Sequence, residues 1–262
     1  MKVRRLAALS LVVVLIVGML AACGESVPEV DKIISAAEGA MEGGIYSATV
    51  TTGIASARED INGALAALDG NTVSIAVNGK NFKMDMELST GNIAIVKSFT
   101  AYGGTLYGMT EVTVGSESVS DKKKAELGGE AVGELLSALG AGAEVSADDF
   151  ISVVLSGEDG EYEIVCSQIK TDAKDSLNNM MASGFEDSEI ATTLQDVTYT
   201  IKISGGTYKS TTLEASYAIT EPDDVYTVTV TTTTEYEYGT APKIDAPQNA
   251  EEYKEVALDS II

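Results

Sequence analysis

Between Tyr226 and Tyr238 every second residue belongs to one set and the residues between them to another. Tyr226, Val228, Val230, Thr232, Thr234, Tyr236 and Tyr238 alternate with Thr227, Thr229, Thr231, Thr233, Glu235 and Glu237. A period of two fits a half-buried β-strand and excludes a helix, and the Thr-rich set is suited to water. The same period recurs upstream. Val197, Tyr199, Ile201 and Ile203 face one way, as do Leu213, Ala215, Tyr217 and Ile219, with Gly205-Gly206 as the turn between the two runs. Nearer the start, Val73, Ile75 and Val77 lead through Asn78-Gly79, read as a type I′ hairpin, into Phe82, Met84, Met86 and Leu88, which alternate with Lys83, Asp85 and Glu87. Further strands are predicted at 45–52, 93–99, 101–107, 109–115 and 161–169, giving antiparallel meanders with one wet face.

Helical spacing interrupts these blocks. Ser26-Val27-Pro28-Glu29 reads as a capping box, and Val30, Ile33, Ile34, Ala37 and Met41 follow on one face until Gly43-Gly44. Ile61, Ala64, Leu65 and Leu68 predict a second helix. A third is predicted over 120–140 from Leu127, Ala131, Leu135, Leu136 and Leu139, kinked at Gly128-Gly129. A fourth carries Leu177, Met180 and Met181, and Ile190 with Leu194 suggests one more turn. Strand blocks without βαβ alternation predict an α+β domain over residues 30–258, in which a strongly curved antiparallel sheet, a half-barrel, wraps around short amphipathic helices. Residues 259–262 are read as a tail, and 251–262 as at most a short helix.

The N-terminus sets the expected location. Lys2, Arg4 and Arg5 precede an apolar run from Leu6 to Leu20, the layout of a secretory leader over residues 1–22 and too short for a spanning helix. The leader ends in Leu20-Ala21-Ala22-Cys23, which resembles the bacterial lipobox, so Cys23 is the expected acylation site and 23–29 a lipidated tether. The expected place is the outer face of a bacterial cytoplasmic membrane. Loss of the leader leaves 240 residues and moves the net charge from −23 to −26. Such a chain repels nucleic acid and anionic headgroups. Cys166 remains as the other cysteine, in an apolar strand pattern that reads as a small buried hydrophobe.

Catalytic patterns are sparse. The absence of histidine excludes imidazole acid–base chemistry, Ser-His-Asp triads and the usual zinc sites. Ser120-Asp121-Lys122-Lys123 and Ser167-Gln168-Ile169-Lys170 fit S-x-x-K, but no K-T-G accompanies them. Asp148-Asp149, Glu158-Asp159 and Asp223-Asp224 lack calcium-loop spacing and read as turn residues. Gly103-Gly104 and Gly128-Gly129 lack the Lys-Ser/Thr of a phosphate loop. The expectation is a protein that is not an enzyme and uses no cofactor or metal.

The lipobox, the strand-then-helix run Tyr162–Met181, the closing strands and Lys243-Ile244-Asp245-Ala246-Pro247 together resemble the lipoprotein-localisation factors LolA and LolB and the mycobacterial LppX/LprG-type lipid carriers, and look closest to an uncharacterised family of Firmicutes lipoproteins. The resemblance implies a hydrophobic-ligand site between the sheet and its helices. On that reading Leu135, Leu136, Leu139, Met180 and Met181 close over the sheet. Met84, Met86, Met180 and Met181 are adaptable side chains fit to line a lipid cleft or to fill an ordinary core. The expected partners are the membrane, through the anchor, and a hydrophobic small molecule or lipid. The alternative is a non-catalytic structural module whose sheet face or edge engages a cell-envelope protein.

Overall fold

The computed structural model describes residues 28–42, 44–65, 69–90, 92–128, 135, 145–183, 190–222 and 224–261. Leu20, Ala21, Ala22, Cys23, Leu136 and Leu139 lie outside them, as do the side chains of Met180 and Met181. Helix α1 (Pro28–Glu42) leads into β1 (Ile45–Ser56), α2 (Glu59–Leu65) and five further hairpin-linked strands. These are β2 (Asn71–Asn78), β3 (Asn81–Thr90), β4 (Ile93–Tyr102), β5 (Thr105–Val114) and β6 (Glu117–Glu126). The second block runs β7 (Phe150–Glu158), β8 (Glu161–Ile169), α3 (Thr171–Ser183), β9 (Ala191–Ser204), β10 (Thr207–Glu221) and β11 (Asp224–Tyr238), with a short β12 (Lys254–Glu255) near the end.

Among the described residues, all twelve strands form one open sheet in the order β12-β6-β5-β4-β3-β2-β1-β11-β10-β9-β8-β7. Each block is a meander, and the two are zipped together by β1 against β11, from Tyr46 opposite Tyr238 to Ser56 opposite Val228. The expected α+β half-barrel wrapped around helices is therefore corrected: the chain is mainly β, an open sheet whose three described helices of 15, 7 and 13 residues cannot wrap it. Two stretches read as helical are strand, and each has a physical reason. The 120–126 part of the predicted third helix is β6, where Lys122, Lys123 and Lys124 pair across to Met109, Gly108 and Tyr107. Only the long partner strand reveals this, because three consecutive lysines carry no period.

The second correction is Ile190 with Leu194. Leu194 lies in β9, and Leu194 and Val197 are both buried although three residues apart. A bulge between them, opposite Ser216 and Tyr217, inserts the residue that restores the phase. The misread pair, Ile190 and Leu194, stands four apart, a spacing that fits one face of a helix and one face of a strand alike. The bulge also frees the Leu194 N–H, which donates to Asn178 Oδ1 of α3 at 2.6 Å and fixes that helix to the sheet.

The Asn78-Gly79 turn is shifted by one residue. Asn78 pairs with Asn81, so the loop is Gly79-Lys80, and positive φ falls on Gly79 alone, the pattern of a type II′ hairpin. Gly103-Gly104 is likewise the β4–β5 turn, with Tyr102 paired to Thr105.

β6 and β7 sit ten strand steps apart in the sheet order. Between them in the chain, Leu135, Val145 and Ala147 are buried in the same core. The last residues form a strap. β12 pairs in parallel with Lys123 and Lys124 of β6, and Tyr253 meets Tyr107 edge-on at 5.4 Å. Gly108 has a steric role here, since a Cβ on it would stand 2.7 Å from the Ile261 side chain. Among the described residues no helix is long and apolar enough to cross a membrane.

Candidate functional site

The inner face of the sheet has two parts. Across β2 to β5 it is apolar: Val73, Ile75, Val77, Phe82, Met84, Met86, Phe99 and Leu106 are buried in one core. Met84 stands between Ile75 and Phe99 on the neighbouring strands, and Met86 opposite Val73. Leu135 joins the same core.

Across β1, β11, β10 and β9 the face changes character. The alternation that buries Val228 and Val230 continues through Thr232, Thr234, Tyr236 and Tyr238. Opposite them on β1 stand Thr52, Val50, Ala48 and Tyr46. On β10 a register shift between Tyr208 and Ser210 lets Tyr208 and Thr211 both point inward, three residues apart. Tyr199 enters from β9, opposite Leu213 and next to Cys166 of β8. The Tyr208 and Tyr236 rings lie 5.7 Å apart and tilted, those of Tyr46 and Tyr238 are 6.2 Å apart, and Tyr199 stacks on Phe150 at 6.3 Å.

Helix α1 closes this half from above. It packs on β10, burying Val30, Ile34 and Ala37. Glu38 lies one turn beyond Ile34 on the same side, and one of its carboxylate oxygens is out of contact with solvent. Its charge acts on Tyr208 and Tyr199.

Burial dominates the acid–base chemistry of the cluster. The phenols of Tyr199, Tyr208, Tyr236 and Tyr238 are all pushed up, by burial first; neighbouring negative or phenolic groups add to this at Tyr199, Tyr208 and Tyr238, whereas at Tyr236 the Thr211 and Thr234 hydroxyls oppose it. Tyr46 is pushed up to about 12 by the same causes, burial and then Tyr236. Every one of them is a neutral hydroxyl at physiological pH.

These hydroxyls are incompletely matched. Tyr208, 1% exposed, and Thr232, 5% exposed, have hydroxyl oxygens sealed from solvent with no hydrogen-bond partner. Tyr236 leans toward Thr211 and Thr234, and Tyr238 toward the Tyr208 backbone, without closing a well-aligned bond. Leaving such a group buried and unmatched costs about 1–3 kcal/mol. Cys166 is fully buried beside Tyr199, and burial followed by the charge of Asp148 pushes its thiol up to about 12. It is an inert packing residue at neutral pH.

Met84 and Met86 are held on β3, separated from β11 by β2 and β1, so the structure does not bring them to the tyrosines. In the sequence the tyrosines and inward threonines read as ordinary strand residues. A signal was present: the inward set of β11 turns from Val to Thr and Tyr halfway along. Glu38 was also detectable, as an acid on the apolar stripe of α1.

The S-x-x-K residues are not assembled. Ser120 and Lys123 are three apart on a strand, where that separation spans about 10 Å and opposite faces. Asp149 caps its own turn, accepting from the Ser146 N–H at 2.7 Å, and Asp224 pairs with Arg58. Among the described residues no group of acidic, Cys or His side chains is placed to hold a metal ion. The sequence matches no protein-family model and no curated protein.

Proposed function

We propose that the mature chain is a lipid-anchored protein of the outer face of a bacterial cytoplasmic membrane that binds a hydrophobic or amphipathic ligand beneath α1. One observation carries this reading: the Tyr208 and Thr232 hydroxyls are buried and unmatched beside an extended apolar face. A ligand with a polar end and an apolar body satisfies both, lodging its polar atoms on the hydroxyls and its chain against the core. The resemblance to lipid-carrier lipoproteins agrees with that division, and the leader ending in Cys23 supports the anchor.

A second reading has its own observation. β7 is a sheet edge with no charged side chain from Phe150 to Gly157, and Ile151 and Val154 are 69% and 58% exposed. The opposite edge, β6, carries three lysines and is covered by β12. An uncharged edge suits strand pairing with a cell-envelope protein.

Native mass spectrometry of protein gently extracted from its source tests both. The ligand-binding reading expects a diacylglycerol-modified Cys23 and an additional non-covalent mass of lipid size that leaves on denaturation. A bare protein mass overturns it, and a co-purifying protein partner in place of the small ligand favours the edge.

A further inference from the structure

We infer that the open β7 edge receives, by antiparallel pairing, an extended strand of a partner protein that begins with basic residues and continues with alternating apolar ones. The inference deepens the strand-pairing reading and rests on it.

Among the described residues β7 pairs with β8 alone, so the outward N–H and C=O groups of its alternate residues face no further strand. Its side chains carry the apolar interior out to the rim. Phe150 is buried, Val153 and Leu155 are half-buried against the core, and Ile151 and Val154 stand exposed. A further strand with apolar side chains at every second position would cover Val153 and Leu155 from the open side. The other end of the sheet is guarded twice, by Lys122, Lys123 and Lys124 and by the β12 strap. β7 has neither guard.

Charge then chooses the occupant. β7 leaves through the turn Glu158-Asp159-Gly160-Glu161, whose three acids are all exposed. Lys202 of β9 is taken by Glu163, at 3.3 Å, and among the described residues no cation pairs with the three acids of the turn. A strand laid antiparallel on β7 starts beside this turn, so basic residues at its N-terminal end meet those acids. A second copy of this chain fits badly. Two β7 strands paired antiparallel would bring Glu158 of each toward the Asp149 end of the other, in chains that each hold 40 acidic against 17 basic residues.

The test uses fluorescent, end-blocked peptides of the nine-residue length of β7, with valine and threonine alternating after a leading pair of lysines or of glutamates, titrated by anisotropy into the mature protein carrying Cys23→Ser. The Lys-led peptide is expected to bind about fivefold tighter than the Glu-led one, an advantage that roughly 1 M salt removes. A proline in place of the central valine should abolish binding of both, because it removes a ladder donor. Glu158→Lys with Asp159→Asn, which keeps at 159 a residue tolerant of its φ of 55°, should erase the Lys-led advantage. Val154→Lys, at a position 58% exposed, should weaken both peptides several-fold with Tm unchanged. Equal binding of the two peptides, lost in Val154→Lys, overturns the basic-strand inference and leaves edge pairing standing. Binding that ignores Val154→Lys or the proline, or no binding of either peptide, overturns both. Self-association of the protein without peptide that Val154→Lys removes puts a second copy on the edge and likewise overturns the inference.

Discussion

The two halves of the inner face have the same backbone and opposite contents. Over β2–β5, Phe82, Met84 and Leu106 are packed with no polar atom to satisfy. Over β1 and β9–β11, positions of the same parity hold Tyr208, Thr232, Thr234 and Tyr236. Both halves exclude water, so the difference is one of hydrogen bonding. The first half is a finished core. The second contains groups that a polar partner improves, and α1 brings an acid to it where an apolar residue would have completed the stripe. The outer face of the same strands shows how hydroxyls behave when nothing is withheld: Ser216 and Thr229 bond across the sheet at 3.0 Å, and Thr212 and Thr233 at 3.3 Å.

The largest expected effect tests the faces themselves. Val230 is buried between Ile54 and Ala215, whereas Thr229 next to it lies on the outer face. Val230→Asp should abolish cooperative folding, since it buries a charge without a partner, while Thr229→Asp should shift the thermal midpoint only slightly. Equal midpoints by circular dichroism would show that the two faces are not distinct in solution.

Alkali should break the polar half first. Tyr46 and Tyr217, each pushed up to about 12, and the other raised phenols keep their protons in the folded chain above pH 10, where an unfolded chain would release them. The unfolded state then binds fewer protons, so stability is intact below about pH 10 and falls as pH rises through the folded values, by roughly 2–3 kcal/mol for each of these two phenols. Phenolate absorbance should therefore appear together with loss of the fold. Early, gradual ionisation of all the tyrosines in a still-folded chain would contradict their burial.

One truncation in each half sharpens the contrast. Phe82→Ala should cost about 3–5 kcal/mol in denaturant melts, because it leaves a cavity in a closed core. Tyr236→Phe should change stability by no more than about 1 kcal/mol, because the hydroxyl it removes closes no well-aligned bond. A heavy loss from Tyr236→Phe would mean that the polar half is as finished as the apolar one.

Much of the sheet was legible from single residues. The alternation in β2, β3, β9, β10 and β11 predicted which side chains are buried, and the spacing from Val30 to Met41 predicted α1. The failures fall where local pattern loses its period. β6 is a run of charge that becomes a strand through its pairing with β5 and β12, and β7 was not predicted at all. Ile190 and Leu194, four apart, fit a helix face and a strand face alike. The candidate site was less legible than the fold, because Thr and Tyr are ordinary strand residues and their lack of partners is a property of what surrounds them.

By itself the sequence determined that the chain is dominated by half-buried strands, that its chemistry excludes histidine, and that the faces of its longest strands differ in kind, since a period of two fixes side-chain direction whatever the neighbours are. Tertiary structure decided the rest. It joined two meanders into one open sheet by pairing β1 with β11, because backbone hydrogen bonds along eleven residue pairs close what would otherwise be two exposed edges. That pairing sets Tyr46 against Tyr238. With the bulge that turns Tyr208 inward and the helix that lowers Glu38 over it, the pairing collects residues distant in the chain into one buried polar site.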